Sequence, residues 1–178
     1  AIPTLPETIK HANMADVSPM APAFSKIFSQ SLSKVSDIFF APNGQYAILT
    51  ENGKKYLTEA ETGKRQKIVF PKYEDLVWSL DGDYLYFLEE GRKSGLQRMT
   101  QYSRNSGEEK VIVYFQRAIF EAILHLSDDG KVLLIIDKST EPASLYLVDI
   151  EKKSRERIFD AKNILDANSS PSKKYILY

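Results

Sequence analysis

Four segments of this chain align with one another without gaps, and that repetition constrains its fold more than any other feature. They run Ile38–Leu49, Val77–Phe87, His125–Ile135 and Ala167–Tyr178. In each, a short apolar stretch meets a four-residue polar turn and then a second apolar stretch. The aligned turn positions are Gly44, Gly82, Gly130 and Lys173, spaced by 38, 48 and 43 residues. A period of about 40–50 residues with several strands per unit is the signature of a radial β-sheet array.

The rest of each unit recurs as well. Lys55–Ala60, Leu96–Tyr102 and Leu145–Ile150 read as third strands, and each is followed by a polar turn. Gln66–Phe70, Lys110–Phe115 and Glu156–Phe159 read as fourth strands. Asn43-Gly44, Asn52-Gly53, Thr62-Gly63, Asp81-Gly82, Ser106-Gly107 and Asp129-Gly130 separate the runs. Such dipeptides suit tight hairpins because Gly and Asn tolerate positive φ. No segment beyond residue 34 sustains helical periodicity, so the fold is all-β, built as a β-propeller-type repeat of four-stranded antiparallel blades. The units cover about 35–70, 75–117, 121–160 and 164–178, which makes about three and a half blades.

The turns Ala41-Pro-Asn-Gly-Gln45, Ser79-Leu-Asp-Gly-Asp83, Ser127-Asp-Asp-Gly-Lys131 and Ser170-Pro-Ser-Lys-Lys174, with the third strand Leu145-Tyr-Leu-Val-Asp149, carry a resemblance. They resemble the Ser-Pro-Asp-Gly-Lys turn and Leu-Tyr-Leu-Val-Asp strand of TolB-like propeller repeats. The same repeat type occurs in the propeller domain of prolyl oligopeptidase family proteases and in the extracytoplasmic part of some membrane-anchored bacterial regulators. Each turn departs from the pattern at one or more positions. The resemblance spans residues 35–178 and speaks to fold, since propellers host unrelated activities.

Blades pack both faces against neighbours, so their inner strands read as continuous apolar runs. Tyr84–Leu88 and Val132–Ile136 have this character. Outer strands such as Glu108–Phe115 stay mixed, with charged ends that discourage edge-to-edge pairing. Trp78, the only tryptophan, is expected to pack between blades; the competing role is stacking a ligand at a channel mouth.

Residues 1–34 differ in composition. They hold Pro3, Pro6, Pro19 and Pro22, no glycine, and few charges. Pro-x-x-Pro spacing favours extended polyproline II geometry. Phe24, Ile27, Phe28 and Leu32 fall on one helical face. This part is read as a Pro-containing leader or docking segment, packed on its own domain or on another chain. Residues 35–178 are read as an incomplete propeller domain, because rings usually need four to eight blades. The expectation is a piece of a larger propeller, a leader that supplies strands, or two combining chains.

Charge narrows the partners. The 24 Lys+Arg balance the 24 Asp+Glu, and a nucleic-acid surface needs a basic surplus. The longest aliphatic run, Val132–Ile136, is far short of a membrane span. With no cysteine, disulfides, thiolate catalysis and Cys-ligated metals are excluded.

Candidate chemistry is sparse. His11 lies in the leader, and His125, between Leu124 and Leu126, has no local nucleophile or acid. Gly-x-Ser-x-Gly is absent, Gly91-Arg-Lys-Ser-Gly95 lacking the required spacing. Phosphate-loop and dinucleotide fingerprints are absent as well. Asp81, Asp83, Asp128 and Asp129 are read as capping their own turns rather than binding a metal. Lys152, Lys153, Arg155 and Arg157, interleaved with Glu151 and Glu156, read as a solvated hairpin. Asn168-Ser169-Ser170 matches a glycosylation triplet on an expected strand. No catalytic, cofactor or metal residue is assigned, and no cofactor is expected.

Three functions remain. The first is a non-catalytic protein-interaction domain of a larger exported bacterial protein. The second is the gating propeller of a prolyl oligopeptidase family serine protease whose catalytic domain lies outside this chain. The third is an extracytoplasmic sensor domain of a membrane-anchored regulator. A protein partner is expected, with further blades coming from the same parent chain or a second copy. Nucleic acid and membrane insertion are not expected. The location implied is periplasmic or extracellular, with the cytoplasm as the alternative.

Overall fold

The computed structural model describes residues 35–68, 76–90, 96–161, 168–169 and 176–177. The leader, His11, the segment Gly91–Gly95 and the turn Ser170–Lys174 lie outside the described residues. No helix occurs among those described.

The strands form three four-stranded antiparallel sheets in simple up-and-down order. The first contains β1 (Val35–Phe40), β2 (Tyr46–Glu51), β3 (Lys54–Glu59) and β4 (Arg65–Ile68). The second contains β5 (Leu76–Trp78), β6 (Tyr84–Glu90), β7 (Gln97–Ser103) and β8 (Glu109–Phe115). The third contains β9 (Ala122–Leu126), β10 (Val132–Asp137), β11 (Ala143–Asp149) and β12 (Ser154–Ala161). A two-stranded pair follows, with Asn168 opposite Leu177 in β13 (Asn168–Ser169) and β14 (Ile176–Leu177). Three four-stranded blades are therefore present among the described residues, with a two-stranded pair after them. Observed strand ends differ from the expected ones by at most three residues, as fraying ends do.

Two compact units are distinguished. One takes in residues 35–39 and 44–67; the other takes in 40–43 and the described residues from Ile68 onward. In the first, Ala47, Ile48, Leu49 and Leu57 are buried. Its Asn52-Gly53 loop joins β2 to β3 with both residues at positive φ, as a two-residue hairpin requires.

In the second unit the core lies between the second and third sheets. Tyr86, Leu88, Met99 and Phe115 pack with Leu124, Leu133, Ile135, Tyr146 and Val148. Phe115 meets Tyr146 edge-on, with centroids 5.6 Å apart. Every residue of β10 is buried, as a strand covered on both faces should be. In β6 the buried run is Leu85–Glu89, while Tyr84, expected to open a strand buried on both faces, is exposed. Trp78 is buried.

The Ser-x-Asp-Gly turns are built identically in two blades. Ser79 Oγ donates to Asp81 Oδ1 at 2.5 Å, and Ser127 Oγ donates to Asp129 Oδ1 at 2.7 Å. The same carboxylate oxygens accept the Asp83 and Lys131 backbone N–H groups. The serine oxygens in turn accept the N–H groups of Tyr84 and Val132. Asp81 and Asp129 cap their own turns, as expected, whereas the Asp83 carboxylate instead accepts from Arg104 Nη2 at 2.6 Å. The first blade has Ala41 and Asn43 at the matching positions, so this network cannot form there. Asn43 instead donates its side-chain amide to the Asp81 carbonyl, within the second unit.

Candidate interaction site

Alternating strand direction sends the β6–β7 and β10–β11 connections to one end of their sheets. The β8–β9 connection, Gln116–Glu121, emerges at that same end. A connection between blades has no ladder to satisfy its backbone, so its polar groups need side-chain partners. Gln97, at the start of β7, provides them. Its Nε2 donates to the Ile119 carbonyl at 2.7 Å, and its Oε1 accepts the Ile119 N–H. Gln97 is 1% exposed, so one buried amide stands in for a strand pairing.

The third blade holds the other half of the connection. Ser139 Oγ accepts the N–H groups of Phe120 at 2.6 Å and Glu121 at 3.1 Å. The Lys138 N–H donates to the Glu121 carbonyl at 2.8 Å. Arg117 Nη2 reaches Asp137 Oδ2 at 2.6 Å, and Asp137 is fully buried. With its backbone fixed on both sides, the connection presents Phe120 with 74% of its surface exposed. Leu96, next to Gln97, is also exposed.

A polar network flanks this connection. The buried Ser144 hydroxyl accepts from Arg117 Nη2 at 3.2 Å and Arg157 Nη2 at 3.1 Å. Arg157 also pairs with Asp160 Oδ1 at 2.6 Å. The Ser144 hydroxyl and then the Arg157 guanidinium hold the Asp160 carboxyl below its ordinary value. Two arginines and two aspartates thus satisfy one another around one hydroxyl.

Asp137 belongs to a series. Glu51, Glu89 and Asp137 each lie seven residues after their turn glycine, Glu51 and Asp137 at the end of β2 and β10 and Glu89 one residue before the end of β6. Each meets an arginine drawn from a different element. Arg65 on β4 lies 3.3 Å from Glu51, Arg98 on β7 lies 2.7 Å from Glu89, and Arg117 comes from the connection. Thr100 Oγ1 also donates to Glu89. Sequence reasoning missed these groups, although the spacing of glycine to acid was present to be read.

Of the residues singled out in the sequence, His125 lies on β9 opposite Leu134, on the face shared with Ile123. The basic cluster divides. Lys152 and Lys153 occupy an exposed turn, as expected, with Lys152 Nζ 3.2 Å from Asp149. Arg157 lies on β12 and stays exposed, beside Asp160, whereas Arg155 on the same strand reaches the second blade. Arg155 Nε donates to the Tyr114 carbonyl at 2.8 Å, with its guanidinium 5.2 Å from the Phe115 ring centroid. Sequence alone leaves Arg155 to solvent because its partner is 41 residues away. No group of metal-ligating side chains occurs among the described residues. Among them, no helix is long and apolar enough to cross a membrane.

No protein-family model and no curated protein matches this sequence. Solved structures do resemble it. TolB from Acinetobacter baumannii aligns over 80% of this chain and 36% of its own, with 17% identity and a TM-score of 0.59. A putative TolB from Agrobacterium tumefaciens aligns over 80% and 52%, with 17% identity and a TM-score of 0.55. The β-propeller domain of the Trilobed protease from Pyrococcus furiosus aligns over 76% and 45%, with 16% identity and a TM-score of 0.54. The chain thus spans about a third to a half of the length of these structures. Its sheet order, its repeated turns and these likenesses agree that the fold of this chain is that of a TolB-like β-propeller.

Proposed function

We propose that this chain is a non-catalytic protein-interaction module of a larger exported protein, and that the β8–β9 connection is its contact point. The observation that supports this reading is Phe120, a large aromatic ring left 74% exposed on a backbone held by Gln97 and Ser139. Exposed aromatics on preorganised loops are what interfaces use as anchors, since little entropy remains to be lost on binding. Leu96, which precedes Gln97, and the partly exposed Arg117 of the same connection add an exposed apolar and a cationic group. The likeness to TolB supports an extracytoplasmic setting as part of the same proposal. The likeness to a protease-associated propeller keeps the gating role as the second reading.

The test is affinity capture from the native host with the wild-type chain and with Phe120→Ser. A specific protein retained by the first and lost by the second, at equal thermal stability, supports the proposal. Equal retention by both removes Phe120 as the anchor. A serine hydrolase domain encoded in the same open reading frame would favour the gating role instead.

A further inference from the structure

The chain contains Asn-Gly at two places, Asn43-Gly44 and Asn52-Gly53. Asn-Gly is the dipeptide most prone to succinimide formation, because glycine leaves the following backbone nitrogen unhindered. The two sites differ in what restrains them. Asn43 donates its side-chain amide to the Asp81 carbonyl, and a Cβ built on Gly82 would fall against that amide. Asn43 is only partly exposed, and Gly44 is buried. Asn52 and Gly53 are both exposed, in the two-residue loop between Glu51 and Lys54. Nothing lies within 4 Å of a Cβ built on Gly53.

We infer that Asn52 is a site of spontaneous covalent modification in the folded protein, and that Asn43 is protected from it. The Gly53 backbone nitrogen, losing its proton to solvent base, attacks the Asn52 side-chain carbonyl carbon. A C–N bond forms, the amide nitrogen leaves as ammonia, and a five-membered succinimide results. Water then opens the ring to aspartate or isoaspartate. No oxidant or reductant takes part. The product carries one new negative charge next to Glu51, whose carboxylate Arg65 already holds. The isoaspartate product also lengthens the backbone of a loop that has only two residues between its strands.

The experiment ages the full chain at neutral to mildly basic pH, folded and in concentrated urea. Fragment masses of the peptide from Val35 to Lys54, which contains both sites, locate the gain of about one mass unit from exchanging an amide for an acid. In the folded chain, conversion at Asn52 should exceed that at Asn43 by at least about fivefold, the factor that one net hydrogen bond represents. In urea the two should convert at similar rates. Asn52→Gln should abolish the modification at that position and leave the slow rate at Asn43 unchanged. Equal conversion of both in the folded chain, or conversion of neither while urea converts both, would overturn the inference.

Discussion

The side chain of Gln97 and the backbone of Ile119 exchange two hydrogen bonds across 22 residues, as two strands in a ladder would. This pairing ties the third strand of one blade to the connection leading into the next. Gln97→Leu keeps the volume but orphans the Ile119 N–H and carbonyl in a buried place. A loss of about 2–4 kcal/mol is expected in urea unfolding, since each unpaired buried group costs about 1–3 kcal/mol. Gln97→Met should behave alike, whereas a loss under 1 kcal/mol in both would show that water replaces the amide.

Arg117 is the cation that meets the fully buried Asp137. Its guanidinium also reaches Ser144 and Thr140. Arg117→Met removes the charge and leaves the Ser139 backbone N–H, 2.9 Å from Asp137 Oδ1, as a donor to the buried carboxylate. Breaking one side of a buried ion pair costs about 3–5 kcal/mol, and the partly exposed arginine places this case near the lower value. Pairing Arg117→Met with Asp137→Leu should recover much of the loss, measurable as a double-mutant cycle.

Gly82 and Gly130 occupy the same turn position in consecutive blades, at φ +73° and +69°. Alanine at either must adopt a left-handed conformation, at about 1–2 kcal/mol. At Gly130 the added Cβ meets open space, whereas at Gly82 it meets the Asn43 amide. Gly82→Ala should therefore be the more destabilising by about 1 kcal/mol, roughly one displaced hydrogen bond. Thermal unfolding of the two variants orders them.

Lys153 takes the turn position that Gly63 and Gly107 fill in the other blades, at φ +53°. Lys153→Gly relieves left-handed strain of about 1–2 kcal/mol against a glycine entropy cost of about 0.5–1 kcal/mol. A net gain of about 0.5–1 kcal/mol is expected in urea unfolding, and a loss would assign Lys153 a compensating contact.

The Asp81 carboxyl lies below its ordinary value of 3.8, because the Ser79 hydroxyl and then the Asp83 N–H donate to its charged form. A lowered folded value means the charged form is favoured by folding. Its stabilisation is complete above the ordinary value and is lost as pH falls through the folded one. Ser79→Ala removes the first donor. The stability gap between wild type and this variant should narrow below about pH 4; a gap unchanged down to pH 2 would contradict this assignment.

Blade hairpins were legible because their signals are local. A turn such as Ser79-Leu-Asp-Gly-Asp83 hydrogen-bonds within itself, so its residue types declare its geometry. Repetition then multiplied a weak signal into a fold, and the apolar run Val132–Ile136 announced a strand covered on both faces. The candidate site was not legible in this way. Phe120 sits in a connection with no period, and nothing adjacent to it in sequence indicates that Gln97 and Ser139 hold it outward.

What the sequence alone determined, then, is the blade: its strands and its glycine turns. Only the tertiary structure decided that Arg117 of the inter-blade connection meets the buried Asp137, and that Arg155 closes onto the Tyr114 carbonyl of the preceding blade rather than facing solvent. The physical reason is reach. Turns and ladders are set by bonds between near neighbours, whereas a long arginine side chain finds its partner only after separate blades and connections have come together.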